Sequence, residues 1–238
     1  MGENYEFESS KLKKYRKVIF SMAFLGQLLT LYFFTVIGRF DTAESDNILK
    51  NYVSLSGLAS TICMCILVIY GSIIINRCLV KNYIGEDKLR TYLYPNGRSQ
   101  LFYDKVMSFC GMFFGVQLLG MSVANILYLL MESVAPILVT SNTALYSIGH
   151  FFVTSIATVI LTISLIFFSG MAGIYLNSTV ATIVTGIILI AVFGNIVAMA
   201  FASQLLVTLS SAIFILLITL ICIKITGAKI EKDEVLSK

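Results

Sequence analysis

The chain alternates between long apolar stretches and short polar segments. Each apolar stretch has about the 20 residues that an α-helix needs to cross roughly 30 Å of hydrocarbon. A backbone in lipid finds no water to hydrogen-bond, so every crossing stretch is predicted to be a helix. The pattern therefore predicts an all-α, polytopic membrane protein in which residues 1–238 form a single transmembrane domain. The six predicted helices cover roughly residues 18–37, 53–76, 106–131, 147–168, 180–202 and 205–223.

The composition supports this class. Of the 238 residues, 58% are hydrophobic and only 13% are charged, whereas soluble domains average about a quarter charged residues. The mean hydropathy is +0.89. No basic block is long enough to indicate nucleic-acid binding. Cys63 and Cys65 have no His or carboxylate near them in the sequence, which favours packing in apolar surroundings over a metal site.

The basic residues are divided unevenly between the two sides of the membrane. Of the 17 lysines and arginines, only Arg39 and Lys50 fall in segments that an inside N-terminus would place outside the cell. The positive-inside rule therefore predicts that both termini are cytoplasmic. Before the first span, Leu12, Tyr15 and Ile19 recur at helical spacing between lysines. They predict either a short amphipathic N-terminal helix at the inner interface or a basic flank that only orients the first span.

Uncharged polar residues occur inside the spans, and no charged residue lies in the middle of one. Because such side chains avoid lipid, we expect them either to hydrogen-bond between helices or to line a weakly polar substrate pathway. Proton-coupled pumps usually carry intramembrane ionisable groups, so the pattern argues against a proton antiporter. The candidate pathway residues are Gln27, Thr30, Gln117, Ser122, Asn125, Thr154, Thr158 and Asn195.

The chain carries no phosphate-binding G-x-x-x-x-G-K-[ST] loop and no readable pair of a nucleophile and a base. It is therefore not predicted to be an enzyme, and no metal or cofactor is expected on the chain itself.

The segment 77–105, between the second and third spans, is polar but has a helical pattern of its own. Gly85 can bend or break a helix, and the Pro-Asn-Gly sequence at 95–97 is a strong turn signal. A second helix is expected to start near Ser99 and to run into the third span. The segment between bend and turn predicts a short amphipathic helix that lies on the membrane or is bound by a partner. Its apolar face consists of Leu89, Tyr92 and Leu93.

Two stretches resemble the permease subunits of bacterial ATP-binding-cassette exporters, of the six-helix, type-two class found in peptide, drug and lantibiotic-resistance systems. The stretch FFSGMAGIYLNSTVATIV at 167–184 is similar to the short cytoplasmic link between the fourth and fifth helices of that family. The other stretch is similar to the loop after the family's second helix, and its matching residues are Gly85, Lys88, Tyr94, Pro95, Arg98, Leu101 and Lys105.

The resemblance implies a cytoplasmic coupling helix within the segment 77–105 that docks on a separate dimer of ATP-binding-cassette ATPases. ATP and magnesium would then be bound by those partners. A second copy of the permease, or a sister subunit, would complete the transporter in the bacterial plasma membrane. The residues that this implies for ATPase coupling are Gly85, Glu86, Lys88, Leu89, Arg90, Tyr92, Leu93, Tyr94, Pro95 and Arg98, and those for a second cytoplasmic contact are Gly170, Gly173, Asn177 and Ser178.

The expected function is therefore ATP-driven export of a hydrophobic or amphipathic substrate, such as a peptide, an antibiotic or a lipid-like molecule. One departure from the family is the tight turn near residues 202–204, where several relatives have a re-entrant hairpin. Two alternatives stay open at this level. The chain could be a membrane sensor or immunity protein that binds a peptide without transport, or a sodium-coupled or facilitative carrier.

Overall fold

A computed structural model of the chain describes residues 3–40, 51–85, 87–88, 91, 98–137, 144–203 and 205–232, without the side chains of 3–6, 98, 144–147, 195–203 and 205. Within these ranges every regular element is a helix. A short 3-10 helix (Val80–Tyr83) follows the second α-helix. The α-helices are α1 (Glu3–Phe40), α2 (Tyr52–Cys78), α3 (Arg98–Val134), α4 (Ala144–Tyr175), α5 (Thr179–Ser203) and α6 (Leu205–Lys232).

Five helices, α1, α2, α3, α4 and α6, have the length and composition needed to cross a membrane. The described apolar part of α5, Thr179–Gly194, is shorter than a full crossing. The prediction of an all-helical, multi-pass membrane protein is thus confirmed for the described residues, with five to six spanning helices. The predicted orientation of the termini stays a prediction, because the packing of the helices against one another does not distinguish the cytoplasmic side from the outer side.

The N-terminal segment does not form a separate interfacial helix, as one interpretation of its pattern predicted. α1 runs without interruption over 38 residues, about 57 Å at 1.5 Å per residue, so it extends well beyond the hydrocarbon. The reason is that its buried face is continuous. Leu12 and Ile19 belong to one stripe at intervals of three or four residues that continues through Ala23, Gln27 and Leu31, and neither Gly nor Pro interrupts it before Gly26.

α2 and α4 form the centre of the bundle. Of the most apolar 18 residues of these helices, 61% and 72% are buried inside the chain, against 28% for α1 and for α6. α2 packs on α1, α4 and α5, and α4 packs in addition on α3 and α6. Glycines permit close approach in the centre, where Gly71 of α2 faces Ile166 of α4 and Gly170 of α4 faces Ile75 of α2.

The link between α2 and α3 begins earlier than Gly85, the residue at which the sequence predicted a bend. α2 ends at Cys78, whose carbonyl accepts a hydrogen bond from the Asn82 amide at 2.8 Å, and the 3-10 helix follows. Gly85 has a φ of 62°, a left-handed conformation suited to glycine. Asp87, Lys88 and Thr91 are helical, and α3 starts at Arg98, next to the predicted start at Ser99.

Candidate functional site: a polar seam between the helices

One face of α3 carries polar side chains along most of the span. Gln117, Asn125, Tyr128 and Glu132 follow one another at intervals of eight, three and four residues, which places them on one side of a helix. All four are buried, with exposed fractions of 5% or less. This face is covered by α1, α2 and α4, which pack around α3 or its neighbours in the bundle.

The centre of this face is a chain of side-chain hydrogen bonds that joins four helices. The Gln27 amide nitrogen of α1 donates to Ser60 Oγ of α2 at 3.2 Å and to Asn125 Oδ1 of α3 at 3.0 Å. The Asn125 amide nitrogen donates in turn to Ser155 Oγ of α4 at 2.8 Å. The Ser155 hydroxyl donates its own hydrogen bond to the Phe151 carbonyl at 2.8 Å. Every member is at least 95% buried, so water does not reach this network from the outside.

Closer to the end where α3 begins, Gln117 makes a second polar contact. Its amide nitrogen donates to Thr162 Oγ1 of α4 at 3.0 Å, and the Thr162 hydroxyl donates to the Thr158 carbonyl at 2.7 Å. We call the set Gln27, Ser60, Gln117, Asn125, Ser155 and Thr162 the polar seam. Two atoms of the seam, the amide oxygens of Gln27 and Gln117, are buried without a hydrogen-bond donor among the described residues.

The seam is continued towards the other end of α3 by aromatic and acidic side chains. The hydroxyls of Thr35 and Tyr128 lie 2.8 Å apart, and the Tyr128 ring contacts Tyr32 edge-on. Glu132, in the last turn of α3, accepts hydrogen bonds through Oε1 from the Tyr52 hydroxyl at 3.3 Å and from the Ile137 backbone at 2.9 Å. A buried carboxylate therefore lies at one end of an otherwise uncharged polar face.

The structure brings together two of the predicted pathway residues, Gln27 and Asn125, and places Gln117 on the same face of α3 in a separate contact with Thr162. The hydroxyl of Thr30 bonds mainly within its own helix, as those of Thr154 and Thr158 do, while Ser122 is half-buried and the side chain of Asn195 lies outside the described residues. The sequence reasoning missed the hydroxyl partners of the seam. The sequence held no signal that would have separated them from other serines and threonines in the spans, since each can also bond within its own helix. The missed members are Ser60, Ser155 and Thr162.

The predicted second cytoplasmic contact is a tight turn between α4 and α5. Asn177 has a φ of 46°, and its neighbour Ser178 accepts a hydrogen bond from the Ala181 backbone at 3.4 Å, which caps the start of α5. Gly173 lies against Thr182 of α5, so that a side chain there would collide with the threonine hydroxyl. These residues therefore have a clear local role, which is to turn the chain and hold α5 close to α4.

Of the predicted coupling residues, Gly85 and Lys88 are described, and of Arg98 only the backbone is. The hydroxyl of Thr91, which lies between Lys88 and Arg98, donates to the Asn82 carbonyl at 2.8 Å. This bond holds the segment against the 3-10 helix. The other predicted coupling residues, Glu86, Leu89, Arg90, Tyr92, Leu93, Tyr94 and Pro95, lie outside the described residues.

Cys63 and Cys65 do not form part of a metal centre in the described part of the chain, where no three His, Cys, Asp or Glu side chains are grouped to hold an ion. The Cys63 thiol instead donates to the Ala23 carbonyl of α1 at 3.6 Å.

These features define a class: a multi-pass helical membrane protein with a buried, mainly uncharged polar seam between its helices. Comparison of the chain with protein-family models, with curated proteins and with solved structures finds no match.

Proposed function

We propose that the chain is the membrane-embedded permease subunit of an ATP-driven exporter in a bacterial plasma membrane. Its cargo would be a hydrophobic or amphipathic molecule, and its energy would come from a separate ATPase dimer that binds the segment 77–105. A second permease copy or a sister subunit would complete the transporter. The observation that carries this proposal is the polar seam, with its two buried amide oxygens that have no donor in the described part of the chain.

An unpaired buried amide oxygen is unfavourable by about 1–3 kcal/mol. Helix packing alone gains nothing from these two unpaired oxygens, although the amide nitrogens of the same side chains do form hydrogen bonds between helices. In a transporter the same oxygens have a use. When α1, α3 and α4 separate, Gln27 and Gln117 can accept hydrogen bonds from water or from the polar groups of a passing amphipathic molecule.

The charge distribution favours an external energy source. Between the two ends of the bundle the seam contains amides and hydroxyls only, and Glu132 lies at its end rather than in its middle. A proton relay through the membrane needs a series of ionisable groups. The resemblance of segment 77–105 to the coupling loop of exporter permeases supports a soluble ATPase as that source.

Cysteine accessibility tests the seam as a pathway. In a chain without its own five cysteines, Ser155→Cys replaces a seam hydroxyl with a thiol of similar size. Ala157→Cys is the matched control, because Ala157 lies two residues along the same helix and is equally buried in the apolar core. We expect a small, water-soluble thiol reagent to modify Ser155→Cys in energised cells, more slowly after ATP depletion, and to leave Ala157→Cys unmodified.

If Ser155→Cys is as unreactive as Ala157→Cys in both energy states, the seam is sealed packing and the transport proposal loses its support. Equal reaction of the two variants would also contradict it, since that would report general loosening of α4 instead of a hydrated path.

A further inference from the structure

A cavity of about 550 Å³ opens at the end of the bundle where α1 begins, α2 ends and α3 begins. Its volume falls within the roughly 300–1,000 Å³ typical of ligand pockets. Basic side chains from four different elements surround it. We call it the basic cavity, and its cations are Lys11 and Lys14 of α1, Arg77 of α2, Lys81 of the 3-10 helix and Lys105 of α3.

The positive charges of the basic cavity are only partly balanced. Glu8 is the one carboxylate among the described residues that line the cavity, and it is already paired with Lys11, at 3.1 Å. Among the described residues, Lys14, Arg77 and Lys105 take part in no ion pair, and the same is true of Lys81. Like charges held together repel one another, so the arrangement favours the binding of an anion between them.

The basic cavity also has an apolar side. Leu12, Leu79 and Phe109 line it together with the cations, and the apolar run of α3 starts directly after Lys105. Lys105 itself is half-buried, with its ammonium 5.8 Å from the centre of the Tyr83 ring. A ligand in this position would contact positive charge with one part and the edge of the apolar bundle with another.

We propose that the basic cavity binds the phosphate group of an anionic ligand. Lysine and arginine are the usual phosphate-binding side chains, and basic pockets between membrane helices on the cytoplasmic side commonly hold anionic lipid head groups. The phosphate could belong to such a lipid or to a soluble molecule. The site is separate from the polar seam, so this proposal stands whether or not the chain transports anything.

The test uses the purified full-length chain and two probes. In the first arm, native mass spectrometry compares retention of phosphatidylglycerol with retention of phosphatidylcholine. In the second arm, calorimetry measures binding of inorganic phosphate to the chain in nanodiscs of phosphatidylcholine alone. The test variant combines Arg77→Gln with Lys105→Gln. The matched control combines Lys224→Gln with Lys232→Gln, which removes the same charge from exposed positions near the end of α6.

We expect the wild type and the control to prefer phosphatidylglycerol. The test variant should bind it roughly 30-fold more weakly, because each of the two lost cations contributes about 1 kcal/mol to binding of an anionic head group. The charge-conserving exchange of Arg77→Lys with Lys105→Arg should restore binding. Lys81→Gln alone, expected to weaken binding roughly fivefold, replaces the double variant if the latter does not fold.

Loss of phosphatidylglycerol binding in the test variant assigns the cavity to a lipid head group. Loss of phosphate binding in the second arm, without a lipid preference, assigns it to a soluble phosphate. If neither probe binds, or if the cavity and control variants weaken binding equally, the proposal is wrong and the basic residues act only as a diffuse surface charge.

Discussion

Two glutamines of the polar seam should respond in opposite ways to the same substitution. Gln27→Leu removes the amide that donates to both Ser60 and Asn125, and so leaves Asn125 Oδ1 buried without its donor. Gln117→Leu removes one bond between helices, to Thr162, whose hydroxyl keeps its own acceptor in the Thr158 carbonyl, and a weak contact within α3 to Met121 Sδ at 3.8 Å. Both substitutions also remove an amide oxygen that has no donor among the described residues.

The magnitudes follow from these contacts. A hydrogen bond between membrane helices contributes about 0.6 kcal/mol on average, and a buried acceptor that loses its donor costs about 1–3 kcal/mol. Gln27→Leu loses two bonds and leaves such an acceptor behind, and removal of its own unpaired oxygen offsets only the second of these costs, so it should lower the free energy of unfolding by about 1 kcal/mol. Gln117→Leu loses one bond and removes an unpaired oxygen, so it should be neutral or stabilise by up to about 1–2 kcal/mol.

Reversible unfolding in mixed micelles, followed by helical circular dichroism, measures both variants. A further variant that combines Gln27→Leu with Asn125→Leu removes both members of a bonded pair, so it should be more stable than the sum of the two single changes predicts. The reasoning is refuted if Gln117→Leu destabilises as much as Gln27→Leu, or if the double variant is simply additive.

Three other predictions concern topology, packing and energy. In a cysteine-free chain, an impermeant thiol reagent added to intact cells should label Ser45→Cys and not Ser99→Cys, because the basic residues place the first position outside; the reverse labelling would invert the topology. Gly120→Val should destabilise by about 1–3 kcal/mol, because a Cβ at Gly120 would lie 2.8 Å from Ala23 Cβ, while Gly115→Val, with no atom within 4 Å of its Cβ, should be nearly neutral in the same unfolding assay. Transport in vesicles supplied with ATP should continue in the presence of a protonophore, and loss of transport under that condition would indicate proton coupling.

The existence of the helices could be predicted from the sequence, because the thickness of the hydrocarbon fixes how long an apolar run must be. The exact ends of the helices could not be predicted, since a helix end outside the lipid depends on capping and packing. α1 continues to Glu3 because a buried stripe from Leu12 to Leu31 holds both halves together. α3 likewise continues past Met131 to Val134, which moves Glu132 from a predicted outer loop into a buried helical turn.

The kinds of side chain in the candidate site could be predicted from the sequence, but the positions of its members could be predicted only in part. Uncharged polar side chains in a span must find partners, and Gln27, Gln117 and Asn125 were three of the eight candidates that this rule gave. Serine and threonine can satisfy themselves on the carbonyl four residues earlier, so nothing in the sequence separates Ser155, which belongs to the seam, from Thr154, which bonds within its helix. That distinction depends on which face α4 turns towards α3, and this is set by packing.

The proposed function requires a separate ATPase that energises this chain through the segment 77–105. The most direct measurement is purification of the tagged chain from its native membranes in mild detergent, with identification of its partners and assay of magnesium-dependent ATP hydrolysis. We expect an ATP-binding-cassette ATPase to co-purify with the chain and to show vanadate-sensitive ATP hydrolysis. Leu89→Asp and Tyr92→Asp should lose it, because an unpaired carboxylate at an interface weakens binding by a few kcal/mol, roughly a hundredfold, while Lys224→Gln should retain it. A chain that purifies without any ATPase, or whose Leu89→Asp and Tyr92→Asp variants keep full binding and full ATP hydrolysis, would contradict the account.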